Sequence, residues 1–258
     1  VTVESDLVVD TSEAVSVESL AISDFAGRSP TVKTYLHAES LTLAAPTLDD
    51  QRCDWERVSE ALTSDVRATG SLAMLQQLPA ILRQADWQVT VIMHADEVIN
   101  VEAQHDDINL LGLAVDIGTT TLAVALYEME TGQVLQTSAC TNPQARAGDD
   151  VVSRIGHAAE SQANRRELQE TVIEAIQQLM TSVCISAEQP VERVYCISFA
   201  GNTTMHHLAL GIDPNAIAAS PFIPGTCRGH ELPARELGLR AGNGAHVYAM
   251  PNISAYVG

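Results

Sequence analysis

Leu113, Val115 and Ile117 alternate with small or polar neighbours, and Leu122-Ala123-Val124-Ala125-Leu126-Tyr127 resumes the apolar run after a polar break. A period of two on both sides of a glycine-containing break predicts a β-hairpin with Gly118-Thr119-Thr120-Thr121 at its tip. Gly132 then turns the chain into a third strand, Val134 to Ala139. Asp150 to Ala159 reads as a helix with Asp149 near its cap, and Arg166 to Ile185 as a long one. In the long helix Leu168, Val172, Ile176, Leu179, Met180 and Val183 recur every three or four residues, a stripe for packing on a sheet. Val191 to Ser198 supplies another strand and Thr203 to Leu210 a helix. Pro214, Pro221, Pro224 and Pro233 mark an irregular region before a strand at Ala245 to Met250.

Upstream, Val32 to Gln104 reads as a compact α/β unit. Trp55 to Ala68 and Leu72 to Gln84 have helical spacing, with Leu72, Leu75, Leu78 and Leu82 as the expected apolar face of the second. Trp87 to Met93 and Glu97 to Val101 alternate as a hairpin turning near Ala95-Asp96, and Asp106-Asp107 marks a boundary. Val1 to Ser29 is acidic and poor in aromatics, which predicts an extended linker.

The hairpin tip carries the first candidate chemistry. Gly118 lets the backbone approach a ligand, free N–H groups and threonine hydroxyls can surround a phosphate, and Asp116 can hold a Mg²⁺-bound water or orient an attacking one. The same pattern also fits an ordinary tip with a solvated aspartate. A second marker, Ala200-Gly201-Asn202-Thr203-Thr204-Met205-His206-His207, reads as strand, turn and helix start, with Thr203 or Thr204 as cap. Capping alone explains it equally well.

Five blocks in order resemble the reductive activators of corrinoid proteins: Ala114-Val115-Asp116-Ile117-Gly118-Thr119-Thr120-Thr121, Asn142-Pro143-Gln144, Gly148-Asp149-Asp150-Val151-Val152-Ser153-Arg154-Ile155, Gly201 to Leu208, and Pro251-Asn252-Ile253. Ala45 to Asp50 and Cys53 to Arg57 are similar to the middle domain of the same family. The resemblance implies an α/β fold: residues 1–30 a linker, 31–107 a small α/β middle domain, and 108–258 the first half of an actin-like (ribonuclease H-like) ATPase domain that continues beyond the chain. It also implies an ATPase coupled to electron transfer, which reduces an inactive Co(II) corrinoid to the methyl-accepting Co(I) form. Asp116, Gly118, Thr119, Thr120 and Thr121 would face the phosphates of ATP, with Asp116 catalytic and on Mg²⁺. Gly201, Asn202, Thr203 and Thr204 would line the same cleft.

Composition narrows the partners. A net charge of -19 argues against nucleic acid, whose phosphates are bound mainly by Lys and Arg. No stretch approaches the roughly 20 apolar residues of a membrane span, so a cytoplasmic protein without a membrane partner is expected. The partners the resemblance implies are a corrinoid protein and an electron donor acting through a ferredoxin domain; it leans towards a dimeric parent without fixing one. Cys53, Cys140, Cys184, Cys196 and Cys227 are scattered, without the C-x₄-C-x₂-C spacing of a 2Fe–2S ferredoxin domain. Such a domain is therefore expected elsewhere in a longer parent, with this piece alone inactive.

Other polar residues keep two readings. Adjacent His206 and His207 point about 100° apart on a helix and read as surface or satisfied core residues, or as groups near the cleft. Asp149, Asp150 and Arg154 could touch a partner or stabilise their helix; Asn142 and Gln144 could reach the cleft or form a turn around Pro143. Asp49, Asp50, Asp54 and Glu56 with Arg52 and Arg57 read as a solvated helix start. A small-molecule kinase of the same superfamily, an activator of acyl-CoA dehydratases and a non-enzymatic docking module are the competing readings.

Overall fold

Two sheets, each with helices on one side, organise the chain. The computed structural model describes residues 35–63, 70–105 and 108–254, so the expected linker over residues 1–30 and the boundary at Asp106-Asp107 lie outside the described residues. The first sheet is antiparallel, in the order β1 (Leu36–Thr42), β2 (Gln88–His94), β3 (Glu97–Ala103). Helices α1 (Asp54–Ala61) and α2 (Leu72–Gln84) close its core with Val58, Met74, Leu78 and Leu82 against Val89, Val91 and Val101.

Three details here differ from the sequence reading. Described helix α1 ends at Ala61, and residues 64–69 are outside the description. The buried face of α2 is Met74, Leu78 and Leu82, spaced by four; Leu72 is 72% exposed and Leu75 37%, because steps of three lag the 3.6-residue turn and the sheet packs against Met74 rather than against them. The acidic and basic cluster is not wholly solvated. Arg57 is buried, donating to the Asp50 carboxylate at 2.7 Å and to the Ala44 carbonyl at 3.2 Å, and lies over the Trp87 ring.

The second sheet is mixed and runs β6-β5-β4-β7-β9-β8, from β4 (Leu111–Ile117), β5 (Thr121–Glu128), β6 (Val134–Thr141), β7 (Val194–Gly201), β8 (His230–Pro233) and β9 (His246–Ala249). Strands β4, β5 and β6 form an antiparallel meander, and β4, β7 and β9 are parallel. This is the α/β arrangement expected for the first half of an actin-like domain. Helices α3 (Val151–Glu160), α4 (Gln162–Ser186), α5 (Thr203–Ala209) and α6 (Asn215–Ala218) complete it. The stripe on α4 is buried from Leu168 to Val183, as its spacing predicts, against Leu113, Val115, Leu122 and Val124. Strand β7 begins only at Val194, since Val191–Arg193 forms a 3-10 turn after Pro190. The short edge strand β8 falls in the region read as irregular; pairing with β9 makes it a strand.

The two units share a tight seam. Leu36, Ile92, Ile99, Leu110 and Tyr195 form a common apolar cluster, and Asn100 joins Tyr195 Oη at 3.0 Å to Asn243 at 3.2 Å. Gly244, at φ +79°, lies so close to β3 that a Cβ would sit 2.3 Å from the Ile99 carbonyl oxygen.

Candidate functional site

The site is built where β4 and β7 end side by side. Ile117 and Gly201 are register partners, and a Cβ on Gly201 would fall 2.7 Å from the Ile117 carbonyl oxygen. Only glycine lets the two strand ends close this far. On β4, Leu113, Val115 and Ile117 point into the helix-covered core, so alternation turns Ala114 and Asp116 to the opposite face. That face forms a groove of about 300 Å³ among Ala114, Asp116, Ala123, Ala125, Ser198 and Ala200. Asp116 is exposed there and makes no hydrogen bond or ion pair with the described residues. Partial desolvation raises its pKa above the ordinary carboxylate value.

Past Asp116 the hairpin reverses over Thr119 and Thr120. The Gly118 N–H donates to the Thr121 carbonyl at 3.0 Å, and a Cβ on Gly118 would approach that oxygen to 2.5 Å. The tip is then held from behind. Asn142 Nδ2 donates to the Gly118 carbonyl at 2.8 Å, Arg154 Nη2 to the Thr119 carbonyl at 2.6 Å, and the Asn142 N–H to the Thr120 carbonyl at 2.7 Å. Asn202 Nδ2 adds a bond to Thr119 Oγ1 at 3.2 Å. With these carbonyls occupied, the Thr119 and Thr120 N–H groups have no hydrogen-bond acceptor among the described residues. Unpaired N–H groups at a turn, beside hydroxyls, are the elements of an anion cradle.

The holding residues are themselves fixed. Asn142 is fully buried; its Oδ1 accepts from the Gln144 N–H at 3.0 Å and caps the turn Pro143–Ala147. Gln144, also buried, donates to the Leu168 carbonyl at 2.9 Å and so ties the turn to α4. The reading of this pair as a turn around Pro143 holds; Asn142 reaches the hairpin tip from behind, whereas Gln144 is buried against α4. Arg154 has no exposed surface and donates to the Gly148 carbonyl at 2.9 Å and to Met205 Sδ at 3.3 Å. Burial pushes its pKa down, opposed through space by Asp149 and Asp150. The cap of α3 is Asp150, not Asp149: its carboxylate accepts from the Ser153 N–H at 2.7 Å. Sequence reasoning gave Arg154 no part in the site. The available signal was a charged residue on the same helical stripe as Val151, Ile155 and Ala158.

The second marker supports the tip from β7. Asn202, rather than a threonine, caps α5, accepting from the Met205 N–H at 3.0 Å. Thr203 and Thr204 are buried, and Thr203 Oγ1 donates to the Ser254 carbonyl. His206 and His207 are core residues. His207 Nδ1 bonds the Thr203 carbonyl at 2.7 Å, and its Nε2 accepts from the Gly225 N–H at 2.9 Å. His206 Nδ1 lies 3.3 Å from Asn252 Nδ2. Desolvation lowers both histidine pKa values.

The RACo linker region family matches residues 27–107, and the RACo middle region family matches residues 111–258. The corrinoid activation enzyme RamQ of Eubacterium limosum is 29% identical over 170 residues, which is 65% of this chain and 28% of that protein. A solved reductive activator for corrinoid, iron-sulfur protein superposes with a TM-score of 0.78 at 32% identity, over 90% of this chain and 38% of the other. The chain therefore spans well under half the length of these relatives. With both regions matched in order across most of its length, it belongs to the RACo family, the reductive activators of corrinoid proteins.

Proposed function

We propose that this chain supplies the first phosphate loop and the linker of an ATP-dependent activator that lowers the cobalt of a corrinoid protein from Co(II) to Co(I). The observation that carries the reading is the hairpin tip: Asp116 and the Thr119 and Thr120 N–H groups, without partners among the described residues, on a turn whose carbonyls are tied back. Those N–H groups, with the Thr119, Thr120 and Thr121 side chains, take the β- and γ-phosphates. A single carboxylate suits Mg²⁺, which binds through one or two carboxylates together with phosphates and waters. Among the described residues no group of three His, Cys, Asp or Glu offers a protein cage for a metal. Gly201 and Asn202 hold the tip in place, and Thr203 and Thr204 follow them, buried, in α5.

Reduction of Co(II) is uphill for ordinary donors. Nucleotide binding and hydrolysis change the relative stability of two states of the activator and its corrinoid partner, and electron delivery occurs in one of them. The electron comes from a 2Fe–2S ferredoxin-type domain of the longer protein. Asp116→Ala in the full-length protein should abolish ATP turnover and corrinoid reduction while leaving the far-UV spectrum and thermal midpoint unchanged. Wild-type ATP turnover in that variant would overturn the assignment.

A further inference from the structure

Arg154 is a cation with no exposed surface and, among the described residues, no ion pair. Its bonds go to two carbonyls and a thioether. Asp149 and Asp150 act on it only through space, and the Asp150 carboxylate is occupied at the α3 cap. A buried, unpaired charge is costly, and neutral acceptors offset only part of that cost. The bond to the Thr119 carbonyl also has a directional consequence. In the trans peptide joining Thr119 to Thr120, C=O and N–H point in opposite directions, so seizing the carbonyl from inside turns the Thr120 N–H outward. A charged donor on the carbonyl further polarises that N–H as a donor.

We infer that Arg154 is a positioning residue for the phosphate loop, holding the Thr119–Thr120 peptide with its N–H turned towards a nucleoside triphosphate whose phosphate charge is the counter-ion that the buried guanidinium lacks. This rests on the phosphate reading of the hairpin tip. Three contacts make the role possible: Thr119 on the hairpin, Gly148 before α3 and Met205 on α5 all meet one guanidinium, so the two strand ends cannot shift independently. A preorganised donor aimed at an anion requires no rearrangement when the anion arrives.

The test is titration calorimetry of the full-length protein with MgATP and, separately, with adenosine, which lacks phosphates. Arg154→Met keeps an unbranched apolar stem and should weaken MgATP by about tenfold or more, with adenosine affinity unchanged. Arg154→Lys, whose single ammonium reaches one carbonyl, should restore part of the loss. Equal MgATP affinity in wild type and Arg154→Met, or parallel losses of MgATP and adenosine, would overturn the inference. Where Arg154→Met does not fold, Arg154→Lys decides alone: it must lose MgATP affinity selectively. Asp116→Asn separates this inference from its premise. Weakened MgATP in Asp116→Asn with none in Arg154→Met rejects Arg154 only, whereas no change in either rejects the phosphate site itself.

Discussion

Replacing Asn142 tests whether the hairpin tip is held by specific bonds or only by the strands that flank it. The side chain has no exposed surface; it donates to the Gly118 carbonyl at 2.8 Å and accepts from the Gln144 N–H at 3.0 Å. Asn142→Ala removes both partners at once, while the Asn142 main-chain bond to the Thr120 carbonyl survives. Each stranded buried group costs about 1–3 kcal/mol. The Gly118 carbonyl is only partly shielded and can recruit water, so the sum falls near about 2–4 kcal/mol. Asn142→Asp sharpens the argument. It keeps the volume and the oxygen that caps Gln144, but at neutral pH it sets a carboxylate oxygen against the Gly118 carbonyl. It should therefore be destabilised at pH 7 despite its near-identical shape, and should recover as acid protonates the carboxyl and restores a donor. Urea unfolding followed by far-UV circular dichroism, with unchanged slope, reads both variants against wild type. A loss below about 0.5 kcal/mol for Asn142→Ala, or wild-type stability of Asn142→Asp at pH 7, would refute the reasoning.

The face of α2 can be tested by paired truncation. Leu78→Ala should cost about 2–5 kcal/mol and Leu75→Ala well under about 1 kcal/mol in the same melts, and equal losses would contradict the burial of Met74, Leu78 and Leu82. Stability should also decline on mild acidification. Burial holds His206 and His207 below their ordinary value of 6.5, so the unfolded chain binds protons first as pH falls. The stabilisation is complete above that value and is lost as pH drops through the folded pKa values, at up to about 2.7 kcal/mol per pH unit for two sites. Asp116, with its pKa raised, acts in the opposite sense, but only near the carboxylate range. A flat stability profile between pH 7 and 5.5, or one that His206→Gln leaves unaltered, would count against the buried, neutral histidines.

Local pattern determined much of this protein. Alternation in Leu113, Val115 and Ile117 and the recurrence from Leu168 to Val183 each select a secondary structure with one buried face, because strand and helix periods differ and water penalises the wrong one. The same alternation put Asp116 on the open side of the sheet and left Gly118 to make the turn. Motif order then pointed to the family. The face of α2 was harder to read, since Leu72 and Leu75 are apolar enough for either side and only the neighbouring sheet chooses between them. What tertiary structure alone decided is how the tip is held. Asn142, Arg154 and Asn202 lie 24, 35 and 83 residues from the carbonyls and hydroxyl they bind. A polar side chain that finds its partner over such distances leaves no periodic trace; its role is set by which strand ends the fold brings together and which polar groups it then shuts away from water.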